Sequence, residues 1–113
     1  MFFGKWKQFN WNTGDGSKMV VKNQYNPFNE AGKVIKAGGI GVTISSQSGH
    51  RMRALSAEVD MQLATTPTEE LLKLEVLQPE NIKDTLHAYQ MAKRCNEKRV
   101  MSESVKWGVK GAR

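Results

Sequence analysis

Few side chains in this 113-residue sequence are suited to covalent chemistry. Two histidines, His50 and His87, and a single cysteine, Cys95, are the candidates for an acid–base or nucleophilic site. On one helix, positions 87 and 95 lie about 12 Å apart along the axis, which is too far for a histidine to activate a thiol. A metal site needs three or four converging ligands, and no such cluster is visible. The sequence therefore predicts a protein that is not an enzyme and that holds no metal or cofactor.

Short polar side chains are concentrated in residues 42–63, where they alternate with apolar ones. Val42 and Ile44 alternate with hydroxyl and amide residues, and from residue 55 to 63 every second residue is apolar. A period of two is the spacing of a β-strand, and Ser-Gly-His at 48–50 supplies turn residues. We therefore predict a hairpin with a polar face, which carries Thr43, Ser45, Gln47 and Ser56.

The net charge indicates the class of partner. Seventeen Lys and Arg residues against eleven Asp and Glu residues give a formal charge of +6 and a pI near 9.6. A basic surface attracts polyanions, so nucleic acid is the expected partner. No apolar run reaches the roughly 18 residues that cross a bilayer. We expect neither a membrane role nor a small-molecule substrate.

Strands are the elements expected to position these residues. Gly- and Asp-rich residues 12–17 predict the turn of a first hairpin, and residues 25–32 predict a loop. The stretch AGGIG at 37–41 is interpreted as a junction between strands, because it lacks the Lys-Ser that follows in a phosphate-binding loop. The first five predicted strands cover residues 5–11, 18–23, 33–37, 42–47 and 52–63.

The stretch TTPTEELLKLEVLQP, residues 65–79, fits two interpretations. Thr, Pro and two Glu residues before an apolar run are typical of a helix start. Against this, Leu72, Leu74 and Val76 fall on every second position, and Pro79 ends the run after about ten residues, a length typical of strands. We favour a sixth strand over a helix.

After Pro79 the apolar period becomes helical. Asn81 is the predicted N-cap, and cations up to Arg99 gather where the helix dipole favours them. A shorter second helix is predicted from about Met101. Cys95 is interpreted as a small apolar residue on the buried side. The apolar residues of the first helix are Ile82, Leu86, Tyr89, Ala92 and Cys95.

These elements predict a single α+β domain over residues 1–113, with an antiparallel sheet of about six strands in 1–79 and two C-terminal helices in 80–113. One helix, roughly 10–12 Å across, cannot cover a face of so wide a sheet. The helices are therefore expected to complete an interlocked homodimer. The predicted dimer interface consists of Ile82, Leu86 and Tyr89.

The order of elements resembles that of the coat proteins of small single-stranded RNA bacteriophages, the levivirus type. The resemblance covers nearly the whole chain through the patterns VTISSQS, SAEVDMQL and LLKLEVLQP and the terminal helices, without a strict motif. Members of that family form a hairpin-rich sheet with interlocked helices, and their dimers close into an icosahedral shell around genomic RNA. The resemblance implies a structural protein of a virion, assembled in the cytoplasm of a bacterial host.

The same resemblance implies that an RNA hairpin binds the inner face of the sheet. Thr43, Ser45 and Ser56 fall where family members use small hydroxyl residues to hold an adenine. This chain has Gln47 and Glu58 where the family often has basic side chains, so its contacts are expected to shift toward other cations. The predicted RNA-binding residues are Thr43, Ser45, Gln47, Arg51, Arg53, Ser56, Lys73 and Glu75.

A second hypothesis is a dimeric regulatory protein that binds single-stranded nucleic acid and forms no shell. The stretch GKVIKAGGIGVTIS also suits the strand–turn–strand of a small coactivator-like DNA-binding protein. Electron microscopy of the expressed chain separates the two hypotheses: uniform particles favour the coat protein, and small dimers with salt-sensitive binding favour the regulator.

Overall fold

A computed structural model describes residues 7–12, 18–23 and 27–113 of the chain, with side chains from residue 31 onward. Two strands, β1 (Lys7–Asn12) and β2 (Lys18–Asn23), pair antiparallel with Lys7 opposite Asn23. The first predicted hairpin falls on this pair. Most of its predicted turn, residues 13–17, lies outside the described residues, as do residues 24–26.

From Pro27 onward the described chain is helical or irregular and contains no strand. Its α-helices are α1 (Pro27–Val34), α2 (Gln47–Arg51), α3 (Ala57–Thr65) and α4 (Thr85–Val109). Three single turns of 3₁₀ helix join α3 to α4, at Leu71–Lys73, Glu75–Leu77 and Pro79–Asn81. The 25-residue α4 contacts each of the other helices and β2, so it is the scaffold of the fold.

The predicted α+β architecture, a sheet of about six strands followed by two C-terminal helices, is therefore wrong. The loop and strand predicted over residues 25–37 contain α1, and the strand predicted over residues 42–47 is irregular chain that ends at the start of α2. The two predicted C-terminal helices are one continuous helix.

Helix α3 replaces the fifth predicted strand. Leu55, Val59 and Leu63 fit a period of two, but they are also four residues apart, which places them on one face of a helix. Ser56 favours the helix, because its hydroxyl accepts a hydrogen bond from the Val59 backbone N–H at 3.2 Å as an N-cap. Leu63 is completely buried, whereas Met61, which the strand pattern placed beside it, is 62% exposed.

The segment between α3 and α4 is neither the favoured strand nor the alternative α-helix. Leu74, Gln78 and Ile82 each follow a 3₁₀ turn in an extended conformation and donate their backbone N–H to the carbonyl three residues earlier. The Gln78 side-chain amide donates to the carbonyls of Leu72 and Leu74 at 2.9 and 3.1 Å. The three 3₁₀ turns begin four residues apart, and Leu71 and Leu77 on them are buried.

Helix α4 begins later and runs further than predicted. Asp84, rather than Asn81, is its N-cap and accepts from the His87 backbone N–H at 2.7 Å. Asn81 instead closes the last 3₁₀ turn, and its side chain donates to the Glu75 carbonyl at 2.7 Å. The helix then continues past the cations near Arg99, which consequently lie within it rather than at its end.

The glycine-rich residues 37–41 hold the C-terminal residues of the chain rather than joining two strands. The Gly38 N–H donates to the Gly111 carbonyl at 2.8 Å, and the Arg113 N–H donates to the Gly39 carbonyl at 2.9 Å. The Arg113 carbonyl in turn accepts from the Gly41 N–H at 2.7 Å. Gly38 and Gly111 have φ values of 81° and 75°, which glycine adopts without strain.

The core lies where α3, the 3₁₀ turns and the first half of α4 meet. Its buried members are Met52, Leu63, Leu71, Leu77, Met91 and Cys95. The residues on the buried side of α4 are spaced four apart, and most of them do not belong to the apolar row that was predicted from the sequence. The residues of this buried row are Met91, Cys95, Arg99, Glu103 and Trp107.

Candidate nucleic-acid interface

One cation of α4 is buried and holds the end of α3. The Arg99 side chain donates from Nη1 to the carbonyls of Leu63 and Thr66, at 3.3 and 2.6 Å, and from Nη2 to the Thr68 hydroxyl at 3.3 Å. The last carbonyls of a helix have no partner within it, so the guanidinium satisfies acceptors that α3 leaves open. Arg99 is 5% exposed and therefore stabilises the fold, although the sequence pattern placed it among the cations at the end of the predicted helix.

Two further residues of α4 hold α2 in place. Arg94 Nε donates to the Gly49 carbonyl at 2.8 Å. Glu97 Oε1 accepts from the Ser45 hydroxyl at 2.6 Å and lies 3.3 Å from His50 Nε2. A Cβ at position 49 would lie 3.1 Å from the Arg94 backbone nitrogen, so glycine is needed for this close approach. The short helix α2 is thus fixed against α4.

Ser45, His50 and Glu97 meet, but their arrangement does not suit nucleophilic catalysis. The Ser45 hydroxyl donates its proton to the carboxylate that also contacts His50, whereas a serine nucleophile must give its proton to the imidazole. Cys95 is no better placed, because burial raises the pKa of its thiol to about 11, against the opposing effect of the Arg99 charge. In the part of the chain that the structure describes, no three potential metal ligands converge.

Basic residues lie at the end of α2, just after it and on the adjoining part of α4, and we call this group the basic corner: His50, Arg51, Arg53 and Lys93. Arg51 is exposed and donates from Nη2 to Gln47 Oε1 at 3.3 Å, which leaves its other donors open to solvent. Arg53 is exposed on the connection to α3. Lys93 lies one helical turn before Glu97, the residue that contacts His50, and its Nζ is 5.7 Å from the centre of the Tyr89 ring.

The segment between α3 and α4 has the opposite charge. Residues 66–84 contain five acidic residues and two lysines, so the segment is net negative. Lys73 is paired with Glu70 at 2.9 Å, which reduces what it can offer to a phosphate. The surface charge of the described chain is therefore uneven, positive at α2 and negative along the 3₁₀ turns. The acidic residues are Glu69, Glu70, Glu75, Glu80 and Asp84.

The structure joins two of the predicted RNA-binding residues, Gln47 and Arg51, by a side-chain hydrogen bond on α2, and Arg53 follows two residues after this helix. Lys73 and Glu75 lie instead on consecutive 3₁₀ turns of the acidic segment. The prediction of Gln47, Arg51 and Arg53 rests on residue type alone, because the hairpin turn that was predicted there is a helix.

Two of the three predicted base-contacting hydroxyls form hydrogen bonds within this fold. Ser56 caps α3, and Ser45 donates to Glu97. Thr43 Oγ1 is buried and has no hydrogen-bond partner among the described residues. The sheet that was predicted to align these hydroxyls is absent from residues 27–113.

The predicted dimer residues differ in their surroundings. Ile82 packs against the core of its own chain. Leu86 and Tyr89 are 58% and 42% exposed on α4, where a partner could reach them.

Comparisons of the chain with protein-family models, with curated sequences and with solved structures found no match. None of the helices in the described part of the chain is long and apolar enough to cross a membrane. What the protein does is therefore inferred from its charge distribution and its surface contacts.

Proposed function

We propose that this protein binds single-stranded RNA through the basic corner. The observation that carries the proposal is the uneven charge of the surface. Arg51 and Arg53 are exposed, and Arg51 has only a neutral amide as its partner, whereas Lys73, Lys98 and Lys106 are paired with carboxylates and Arg99 is buried. Phosphate groups are attracted to such cations, and this attraction supplies most nonspecific affinity for nucleic acid.

The fixed position of α2 supports the same proposal. Gly49, Arg94 and Glu97 hold this short helix on the scaffold helix α4, so Arg51 lies at the end of an element that is fixed in position. A guanidinium can bind a phosphate through two hydrogen bonds and can stack on an unpaired base. Both contacts favour a single strand, whose bases and phosphates are accessible together.

The coat-protein and regulator hypotheses both involve binding of single-stranded nucleic acid, and they differ in assembly. The coat-protein hypothesis placed the RNA on a broad sheet under interlocked helices, and residues 27–113 contain no such sheet. The regulator hypothesis needs only a basic surface on a small protein. We therefore favour a nucleic-acid-binding protein that acts without forming a shell, and electron microscopy of the purified protein should show no uniform particles.

The test compares two double variants that remove the same charge from different places. Arg51→Gln with Arg53→Gln alters the basic corner, and Lys73→Gln with Lys83→Gln alters the acidic segment. Binding of a fluorescein-labelled oligouridylate is measured by anisotropy over a series of salt concentrations. The corner variant should reduce the slope of log affinity against log salt by about 1.4, since each lost phosphate contact on a single strand contributes about 0.7.

The matched variant should keep most of the wild-type slope, because Lys73 is already paired with Glu70. An equal loss in both double variants would mean that net charge alone holds the RNA. A larger loss in the Lys73 and Lys83 variant would place the contact on the 3₁₀ segment and reject the basic corner.

A further inference from the structure

An exposed row of aliphatic side chains lies outside the basic corner, and we call it the apolar ridge: Ile40, Val42 and Ile44. These three side chains are 65%, 83% and 83% exposed. Gly41 and Thr43, which lie between them, are partly buried. Such alternation is what an extended chain shows when one face lies on the protein and the other faces solvent. The RNA-binding proposal does not explain why aliphatic residues occupy the solvent face.

Contacts at both ends hold this segment along α4. At one end the Gly41 N–H donates to the Arg113 carbonyl at 2.7 Å, and at the other the Ser45 hydroxyl donates to Glu97 at 2.6 Å. The Arg113 N–H also donates to the Gly39 carbonyl, so the residues on either side of Ile40 bond to the same residue. Bonding of this kind is typical of extended chain that lies beside another segment. Together with the alternating burial of residues 40–44, it indicates an extended segment.

An extended segment has two edges, because successive residues direct their N–H and C=O groups to opposite sides. The Gly39 carbonyl accepts from the Arg113 N–H, and the Gly41 N–H donates to the Arg113 carbonyl. The three residues of the apolar ridge consequently direct their N–H and C=O groups at the opposite edge. No described residue forms a backbone hydrogen bond with the ridge residues at that edge. An unpaired edge with apolar side chains is a template for pairing with another strand.

We propose that this edge pairs antiparallel with the same edge of a second copy of the chain, about a twofold axis at Val42. In that register Val42 lies opposite Val42 of the partner subunit, and Ile40 lies opposite Ile44 of the partner subunit. A twofold contact requires a surface that is complementary to itself. The stretch Ile-Gly-Val-Thr-Ile meets this requirement, since it is apolar at the same positions when read in either direction.

The backbone and the side chains select the same register. In an antiparallel pair, residues that exchange both hydrogen bonds recur at every second position. When Val42 pairs with Val42 of the partner subunit, the three ridge residues occupy the hydrogen-bonded positions. Their backbone N–H and C=O groups are the ones that have no partner among the described residues. A shift by one residue would require the N–H of Gly41, which already donates to the Arg113 carbonyl. This dimer does not depend on RNA binding, and it uses a surface other than the predicted one at Leu86 and Tyr89.

The first test is the oligomeric state of three lysine variants, measured by sedimentation equilibrium. Val42→Lys alters the ridge, whereas Leu86→Lys and Val109→Lys alter α4 at side chains that are 58% and 87% exposed. The wild type and both α4 variants should dimerise alike. Val42→Lys should weaken dimerisation at least about tenfold, because like charges directly opposite one another repel. Helical circular dichroism identifies a variant that fails to fold.

A wild-type protein that stays monomeric at every concentration would overturn the proposal. So would a dimer that Leu86→Lys dissociates and Val42→Lys does not, since the contact would then lie on α4.

The second test fixes the register without perturbing a charge. Opposite residues of a hydrogen-bonded pair have Cα atoms about 5.5 Å apart, within the range of a disulfide. Val42→Cys should therefore form a disulfide-linked dimer under mild oxidation, while Val109→Cys should not. The native Cys95 is buried and does not compete. Equal cross-linking of the two variants would indicate random collision and would overturn the proposed pairing.

Discussion

The two sides of α4 are held to the rest of the chain in different ways. On one side, Met91, Cys95 and Arg99 are buried against α3 and the 3₁₀ turns. On the other, Arg94 and Glu97 hold residues 45–50 through polar contacts. The first side, which we call the core side, excludes water from apolar atoms and from a guanidinium. The second, the docking side, positions α2 and the apolar ridge without burying much of either.

This difference separates stability from recognition. Burial of apolar surface is the main favourable contribution to folding, so the core side should determine the free energy of unfolding. Net stabilisation by one hydrogen bond is about 0.5–1.5 kcal/mol, so the docking side should contribute less. Residues on the docking side can therefore be changed to test RNA binding and dimerisation while the fold persists.

The largest effect should come from the core side at α3. Leu63→Ala should lower the free energy of unfolding by about 3–4 kcal/mol, because it opens a cavity at a side chain that is completely buried. Met61→Ala, at a side chain 62% exposed, should change it by about 0.5 kcal/mol or less. Urea denaturation measures both. Similar losses in the two variants would support the strand pattern, which buries both residues on one face.

A pair of arginine variants compares the two sides of α4 directly. Arg99→Ala should cost about 3 kcal/mol, since it leaves buried carbonyls at the end of α3 without a donor, at about 1–3 kcal/mol for each unsatisfied group. Arg94→Ala removes one bond to the Gly49 carbonyl and should cost about 1 kcal/mol. The measurement is again urea denaturation at constant pH. A greater cost for Arg94→Ala would reverse the assignment of the core side.

The buried thiol should make the stability of the core side depend on pH. Burial raises the pKa of Cys95 from 9.0 to about 11. Between these values the unfolded chain binds fewer protons than the folded one, so stability that is complete below pH 9 falls as the pH rises through 11. This group should account for a loss of about 3 kcal/mol. Cys95→Ala should show a flatter profile over the same range, and an identical profile would exclude the thiol as the cause.

Two glycine variants should have small effects of opposite sign. Gly49→Ala would place a Cβ 2.8 Å from Glu97 Oε1 and 3.1 Å from the Arg94 backbone nitrogen, so α2 must shift, at a cost of about 1 kcal/mol. Gly108→Ala meets nothing within 4 Å and should stabilise α4 by about 0.5–1 kcal/mol. Thermal denaturation distinguishes these signs. Stabilisation by Gly49→Ala would mean that α2 is not in close contact with α4.

Local signals in the sequence predicted part of this arrangement. The helical period after Pro79 predicted a helix that α4 confirms, and burial of Cys95 is confirmed at 4% exposure. The apolar pattern of α3 was ambiguous, because positions 55, 59 and 63 satisfy both a period of two and a spacing of four. The capping role of Ser56 and the acidic first turn that follows it would have favoured a helix.

Other features depend on packing between distant parts of the chain and have no local signal. Burial of Arg99 depends on where the last carbonyls of α3 come to lie, more than thirty residues earlier in the sequence. The positions of Ser45 and Gly49 depend likewise on Glu97 and Arg94. For the candidate site, residue type was enough to predict Arg51 and Arg53 as RNA-binding residues, but the docking of α2 on α4 had no local signal.

Native-state hydrogen exchange, followed residue by residue by NMR on dilute monomeric protein, tests the difference between the two sides of α4 most directly. Amides of the core side, at Leu63, Met91 and Cys95, should exchange only when the whole protein unfolds, because their exchange requires loss of the buried core. Amides of Val42 and Ile44 should exchange orders of magnitude faster, since no described residue accepts a hydrogen bond from them. Equally slow exchange at Val42 and Leu63 would contradict this account and would indicate that the two segments share a sheet.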